Sequence, residues 1–244
     1  MVQGVVTVSP NLPEWHNIPL RRLVVERFGL KTFLLNDASS AVLAEQCYGA
    51  AKDYSNCVYI TVSTGIGGGI IIDGQLYLGA SGAAGEIGHS TIDVNGPLCY
   101  CGNYGCLEVL ASGSAIARDT IARLKTGGGS RLGEDFTDRL ESITAKDVHH
   151  AAKSGDKLAL EVISKAAGYL GVGIVNTVHI FNPDIIIMGG SVTKMGQLIF
   201  QPVEKAVAKQ AFPLSARAIK IVPALLGDDS GLIGAALYAV NKDT

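Results

Sequence analysis

The chain has 244 residues, 48% of them apolar, with a formal charge of −2 and a pI near 6.2, which is apolar material for one large core or two modest ones. With no basic excess there is no electrostatic support for binding a phosphate backbone, which sets nucleic acid aside and favours small polar ligands. The first residues, Met1-Val2-Gln3-Gly4, lack the regions of a signal peptide, and no apolar stretch is read as reaching the ~20 residues of a bilayer span, so a cytoplasmic chain without a membrane partner is expected.

In chain order, Val5-Val6-Thr7-Val8 reads as a short strand leading into a proline-rich loop over residues 9–19. Residues 20–28 have helical spacing and stop at Gly29. Thr32-Phe33-Leu34-Leu35 reads as an apolar strand ending in Asn36-Asp37, with Ser39 or Ser40 capping a helix that runs to about Tyr48. Residues 57–62 form a β-branched strand, 64–69 a glycine-rich turn, and Ile70-Ile71-Ile72 a second strand closed by Asp73-Gly74, together a hairpin pair. Residues 98–108 are too rich in cysteine and glycine for regular structure. Helices are predicted over 112–125 and 157–178, with a loop over 127–138 between them. A buried strand over 184–188 runs into Gly189-Gly190-Ser191, and a last helix covers about 231–240. Alternating strands and helices predict an α/β fold. No internal repeat or low-complexity tract is seen.

Five cysteines are few and odd in number for a disulfide framework. Three of them, Cys99, Cys101 and Cys106, follow His89 closely, and three thiolates with one imidazole make the closed ligand set of structural zinc. A reduced loop without metal, or a Cys99–Cys101 redox pair, is the alternative. Asn36-Asp37 falls where a strand ends and a helix begins, the place where α/β sheets present ligand-binding groups. A carboxylate there can accept the proton of an attacking hydroxyl, although an Asn-Asp pair also suits a plain turn or cap. Ser63-Thr64-Gly65-Ile66-Gly67-Gly68-Gly69 offers unshielded backbone N–H groups, as a phosphate loop needs, or simply a flexible hairpin turn. It matches neither a Walker A loop nor a dinucleotide fingerprint. Glu86, three residues before His89, and Glu108, two after Cys106, would be held near a metal without ligating it, free to accept hydrogen bonds from sugar hydroxyls; surface glutamates are the alternative.

These pieces, in this order, resemble the ROK family (repressor, open reading frame, kinase) over essentially the whole chain. The matching stretches are Ser9-Pro10-Asn11-Leu12-Pro13, Asn36-Asp37-Ala38, the Ser63 to Gly69 run, Gly82-Ala83-Ala84-Gly85-Glu86-Ile87-Gly88-His89, Cys99-Tyr100-Cys101-Gly102-Asn103-Tyr104-Gly105-Cys106-Leu107-Glu108, and Asn182-Pro183-Asp184 running on to Gly189-Gly190. The resemblance implies an actin-like, ribonuclease H-like two-lobed sugar-kinase fold with an incomplete N-terminal lobe. Residues 1–52 would be the remainder of the small lobe, with a C-terminal helix over 230–244 packing back on it, and 53–229 the large lobe with its zinc loop.

The resemblance further implies phosphorylation of a hexose by MgATP, glucose to glucose 6-phosphate first, with N-acetylglucosamine and N-acetylmannosamine as alternatives. Asp37 would be the general base; Asn36, Asp37, Glu86, His89 and Glu108 would bind the sugar. Thr64, Gly65, Gly67 and Gly68 would contact ATP phosphates, and Gly189 and Gly190 would lie near the adenosine. His89, Cys99, Cys101 and Cys106 would hold Zn2+, one His89 ring nitrogen on the metal and the other facing sugar. A homodimer is implied. Two departures stand out: no Asp-x-Gly-Gly-Thr phosphate loop occurs, and Ser191 replaces a frequent third glycine. The family also contains repressors, so a non-catalytic sugar-binding chain is the other class of reading; no helix-turn-helix domain is expected before Ser9, and retention of Asp37 favours the kinase.

Overall fold

A computed structural model describes residues 4–8 and 14–243; the motif at residues 9–13 lies outside them. The strand β1 (Val6–Val8) pairs antiparallel with β2 (His16–Ile18), within the stretch expected to be loop. The helix α1 (Leu20–Phe28) follows and ends at Gly29 in the left-handed conformation, as its spacing predicts. Residues 29–36 then have no regular structure, so the strand expected over 32–35 is absent. The helix α2 (Asp37–Tyr48) is capped by Asn36 rather than by a serine: Asn36 Oδ1 accepts from the N–H groups of Ala38 at 2.9 Å and Ser39 at 3.2 Å. Ser39 and Ser40 are buried inside the helix.

The main sheet begins with β3 (Cys57–Val62), β4 (Ile66–Ile72) and the short β5 (Gln75–Leu76). The hairpin turn is therefore at residues 63–65, and Gly67, Gly68 and Gly69 belong to β4, opposite Thr61, Ile60 and Tyr59. Their place in a strand has a packing reason: a Cβ on Gly69 would collide with the Ala38 carbonyl oxygen, where α2 crosses the sheet.

After the cysteine-rich loop come α3 (Leu107–Ala111), α4 (Gly113–Lys125), α5 (Arg131–Asp135), α6 (Ala145–Lys153) and the long α7 (Lys157–Phe181). The helix α5 interrupts the loop expected at 127–138. The strand β6 (Ile185–Gly189), helices α8 (Gln197–Gln210) and α9 (Pro213–Ala218), strand β7 (Lys220–Pro223) and helix α10 (Ser230–Asp243) complete the chain. Strand order is β5-β4-β3-β6-β7, with β3, β6 and β7 parallel and β4 and β5 antiparallel to their neighbours.

Period-two alternation divides the sheet between two cores. Val58, Ile60, Val62, Ile186 and Met188 face the core built by α3, α4 and α6 to α8, whereas Cys57, Tyr59, Ile71, Ile185 and Ile187 pack on α2 and α10. The helix α7 is long and apolar enough by composition to cross a membrane, which corrects the reading that no such stretch exists; most of that window is buried in the first core. The last helix packs on α2, so closely that a Cβ on Gly234 would collide with the Ser40 carbonyl oxygen. The helix α2 shares its core with the sheet. The helix α1, by contrast, buries none of its residues.

Candidate functional site

Asp37 opens α2 beside the C-terminal ends of β3 and β6. Its Oδ1 accepts from the Ala38 N–H at 2.8 Å, and the carboxylate is exposed to a cleft of ≈ 300 Å³. Thr61 and Ser63 line one side of that cleft, Gly190 and Ser191 another, and Gly227, Asp228, Ser230 and Gly231 a third. The Ser63 and Ser191 hydroxyls lie 3.0 Å apart and join the two strand ends. Asn36 has its side-chain oxygen engaged by the cap and lines a neighbouring cavity of ≈ 210 Å³ with Arg21, Phe33 and Gly82. Adjacent in sequence, Asn36 and Asp37 thus face two different cavities.

A third cavity, ≈ 370 Å³, contains Thr64, Gly65, Tyr100, Glu108, Ser112 and Arg118. Glu108 Oε2 accepts from the Ile66 N–H at 2.7 Å, so this carboxylate fastens the 63–65 turn to α3. The same turn is tied to α4 by the Gly113 N–H, which donates to the Ser63 carbonyl at 2.7 Å. Thr64 and Gly65 are at the turn itself. Gly67, Gly68 and Gly189 are elsewhere: the first two lie within β4, and Gly189 is buried at the end of β6, where a Cβ would collide with the Tyr59 hydroxyl.

The four soft donors do come together. The ligand atoms of His89, Cys99, Cys101 and Cys106 all lie within 4.8 Å of one another. His89 Nδ1 faces the thiols, 3.7 Å from Cys99 Sγ, and Cys101 Sγ is 3.6 Å from Cys106 Sγ. The 3-10 turn Ile87–His89 supplies the histidine, and Gly102 and Gly105, both with positive φ, shape the cysteine loop. All five cysteines of the chain are free of disulfides.

Burial pushes the Cys106 thiol up to about 12 and raises Cys99, while the Asn103 backbone N–H leads in pulling the exposed Cys101 down. Ionising all three thiols together needs a compensating cation, and three sulfurs with one imidazole nitrogen are the donor set that zinc takes. The residues fit the metal; when bound, it would cross-link this loop and hold the His89 ring in place.

The other ring nitrogen meets Tyr100, a residue of the third cavity. His89 Nε2 stands 2.9 Å from the Tyr100 hydroxyl and 3.9 Å from Glu86 Oε2. The two rings meet edge to face at 5.2 Å between centroids. Burial first, and then the charges of Glu108, Cys99 and Glu86, raise the Tyr100 pKa and keep its hydroxyl protonated. Glu86, His89 and Tyr100 are thus joined through the imidazole, and Tyr100 shares the third cavity with Glu108. Asp228 escapes a sequence reading; Ser63 and Ser191 are legible only as parts of their glycine-rich segments, and Tyr100 only by its place between two candidate ligands.

Topology and site together define the class, a mixed α/β sugar-kinase-like fold. The ROK family profile matches residues 2–242, and the chain belongs to that family. It is 38% identical over 233 residues to a glucokinase of Thermotoga maritima, covering 96% of this chain and 73% of that protein. It is also 34% identical over 231 residues to a xylose repressor of Caldicellulosiruptor bescii, covering 95% of this chain and 57% of the repressor. The crystal structure of a ROK family glucokinase from Streptomyces griseus in complex with glucose and AMPPNP superimposes with a TM-score of 0.87 at 33% identity, over 98% of this chain and 77% of that one.

Proposed function

We propose that this protein is an ATP-dependent hexose kinase of the cytoplasm, with glucose as its first candidate substrate and N-acetylglucosamine and N-acetylmannosamine as the alternatives. The observation that carries the reading is Asp37, an exposed carboxylate at the start of α2, in a cleft whose other walls are two strand ends and the turn before α10. In this reading the sugar lies against Asn36, Glu86, His89 and Glu108. Asp37 accepts the proton of the attacking hydroxyl as its oxygen bonds to the γ-phosphorus of MgATP, and the β-phosphate oxygen leaves with the bond electrons. Positioning supplies much of the rate in such a transfer, so the rigid anchoring of the 63–65 turn by Glu108 and Gly113 matters. Thr64, Gly65 and Gly190 offer the phosphate-side contacts; Gly67, Gly68 and Gly189 serve chiefly by letting elements approach. His89 reaches sugar through Nε2, with Nδ1 on the metal, and Zn2+ acts as a structural ion rather than in the chemistry.

The likeness to repressors supports a second reading, sugar binding without turnover. MgATP-dependent phosphorylation of a hexose, lost in Asp37→Asn while hexose binding persists, supports the kinase; binding without turnover in the unsubstituted protein supports the second reading.

A further inference from the structure

The same helix that presents Asp37 carries a second carboxylate, Glu45, about two turns further on. Glu45 is fully buried, at 0% exposure, and the other buried polar side chains among the described residues are serines and threonines. Its described partners are all peptide N–H groups. Oε2 accepts from Ala50 at 2.8 Å and Leu225 at 3.2 Å, and Oε1 accepts from Leu226 at 2.8 Å. Its backbone carbonyl accepts from Gly49 and Ala51, both at 3.0 Å. The C-terminal end of α2 is shaped around this group: a Cβ on Gly49 would collide with Glu45 Oε2. A buried carboxylate persists only when hydrogen-bonded on all sides, and three converging donors meet that requirement.

Two of the three donors come from a segment 180 residues away in sequence, and that segment is part of the cleft. Leu225 and Leu226 lead directly into the 3-10 turn Gly227–Asp229, and Gly227, Asp228, Ser230 and Gly231 form the cleft wall facing Asp37. At its Ser230 end the wall is also held by the packing of α10 on α2 and by Tyr59, so Glu45 matters most at its entry. There the other ties are the Ala224 N–H, which donates to the Met188 carbonyl at 2.9 Å, and the exposed pair Lys194–Asp228 at 3.2 Å. We propose that Glu45 is a positioning residue, which locks the 225–231 wall to the helix that carries Asp37 and so sets the width of the nucleotide side of the cleft. The nucleotide half of this statement rests on the kinase reading above.

The test uses Glu45→Gln and Leu226→Pro in the full chain, singly and together. Glutamine keeps one acceptor oxygen but turns an NH2 group toward a peptide donor. Proline removes the Leu226 donor from the other side, at a backbone φ of −84 that proline tolerates. Amide hydrogen exchange is measured at residues 225–231, with MgADP and glucose affinities by calorimetry. In both variants exchange across 225–231 should accelerate, MgADP should bind about tenfold more weakly, glucose affinity should stay within about twofold, and the double variant should add little to either single one. Unchanged exchange, or equal loss of MgADP and glucose affinity, overturns the proposal. If Glu45→Gln does not fold, Leu226→Pro decides the same question. Unsubstituted protein that binds no MgADP would instead overturn the nucleotide reading of the cleft, while the exchange result still decides whether Glu45 holds the wall.

Discussion

Glu108 anchors the 63–65 turn and, in the proposed kinase, binds the sugar, and substitution separates the two tasks. Its Oε2 accepts from the Ile66 N–H at 2.7 Å and holds the 63–65 turn, and the residue lines the cavity shared with Tyr100. A hydrogen bond to a charged group contributes ~1.5–3 kcal/mol, and partial exposure of Glu108 puts this one near ~1.5 kcal/mol. For a chain of this size that corresponds to a fall in Tm of ~3–6 °C in Glu108→Ala. Glu108→Gln keeps an acceptor for Ile66 and should cost only about 0.5–1 kcal/mol, or ~1–4 °C. If Glu108 binds the sugar as proposed, a hydroxyl loses its charged partner in both variants, and hexose affinity should fall about tenfold or more in each. Differential scanning calorimetry beside hexose titration reads the two effects separately. Glu108→Gln with hexose affinity within about twofold of the unsubstituted protein would refute the binding task, and Glu108→Ala with unchanged Tm would refute the anchoring task.

Elemental analysis should find about one zinc per chain, and chelation should lower Tm and loosen the loop around Cys99 to Cys106; stably folded protein free of metal would contradict the site. Asp156 caps α7 through Ala159 and also accepts from Ser130 and Arg131. Although burial raises its pKa, the hydrogen bonds from Ala159, Ser130 and Arg131 outweigh that and leave it lowered. Its stabilisation is therefore present above the ordinary carboxylate range and is lost as pH falls through the folded-state value. Asp156→Ala should cost ~1–2 kcal/mol at pH 7, and denaturant titrations should show the gap from the unsubstituted protein shrinking below about pH 4. Two glycine substitutions should act in opposite directions in the same experiment. Gly168→Ala, in open space on α7, should stabilise by ~0.5–1 kcal/mol, and Gly234→Ala should destabilise by ~1–3 kcal/mol because the Ser40 carbonyl is in the way.

What a reader of the sequence can see is what is local. The β-branched runs of β3 and β6, the long apolar repeat of α7 and the soft ligands packed into eighteen residues all announce themselves, because the groups that act together are near each other in the chain. The Asn36-Asp37 pair is visible for the same reason, although its capping role is not: Ser39 and Ser40 suit a cap by residue type, and the asparagine three residues before Ser39 provides it. The glycines of β4 misled because a turn and a close crossing favour the same residue, and only the fold shows α2 lying over Gly69. The strand β7 and the short α5 carry too few residues for a period to register. The helix α6 did have a local signal, the Thr144–Asp147 capping box, whereas α8 contains a proline and starts at Gly196 without a side-chain cap. Glu45 looks like any helix glutamate until its donors, Leu225 and Leu226, are brought in from the far end of the chain.

Kinases and repressors share this fold, so the decisive measurement is turnover. Phosphoryl transfer from MgATP to glucose, N-acetylglucosamine, N-acetylmannosamine, mannose and fructose should be followed for the unsubstituted chain and for Asp37→Asn. Transfer to one hexose is expected, with its loss in Asp37→Asn by at least about a hundredfold and hexose binding retained in both proteins. Hexose binding with no transfer to any sugar, or transfer that survives in Asp37→Asn, would contradict that expectation.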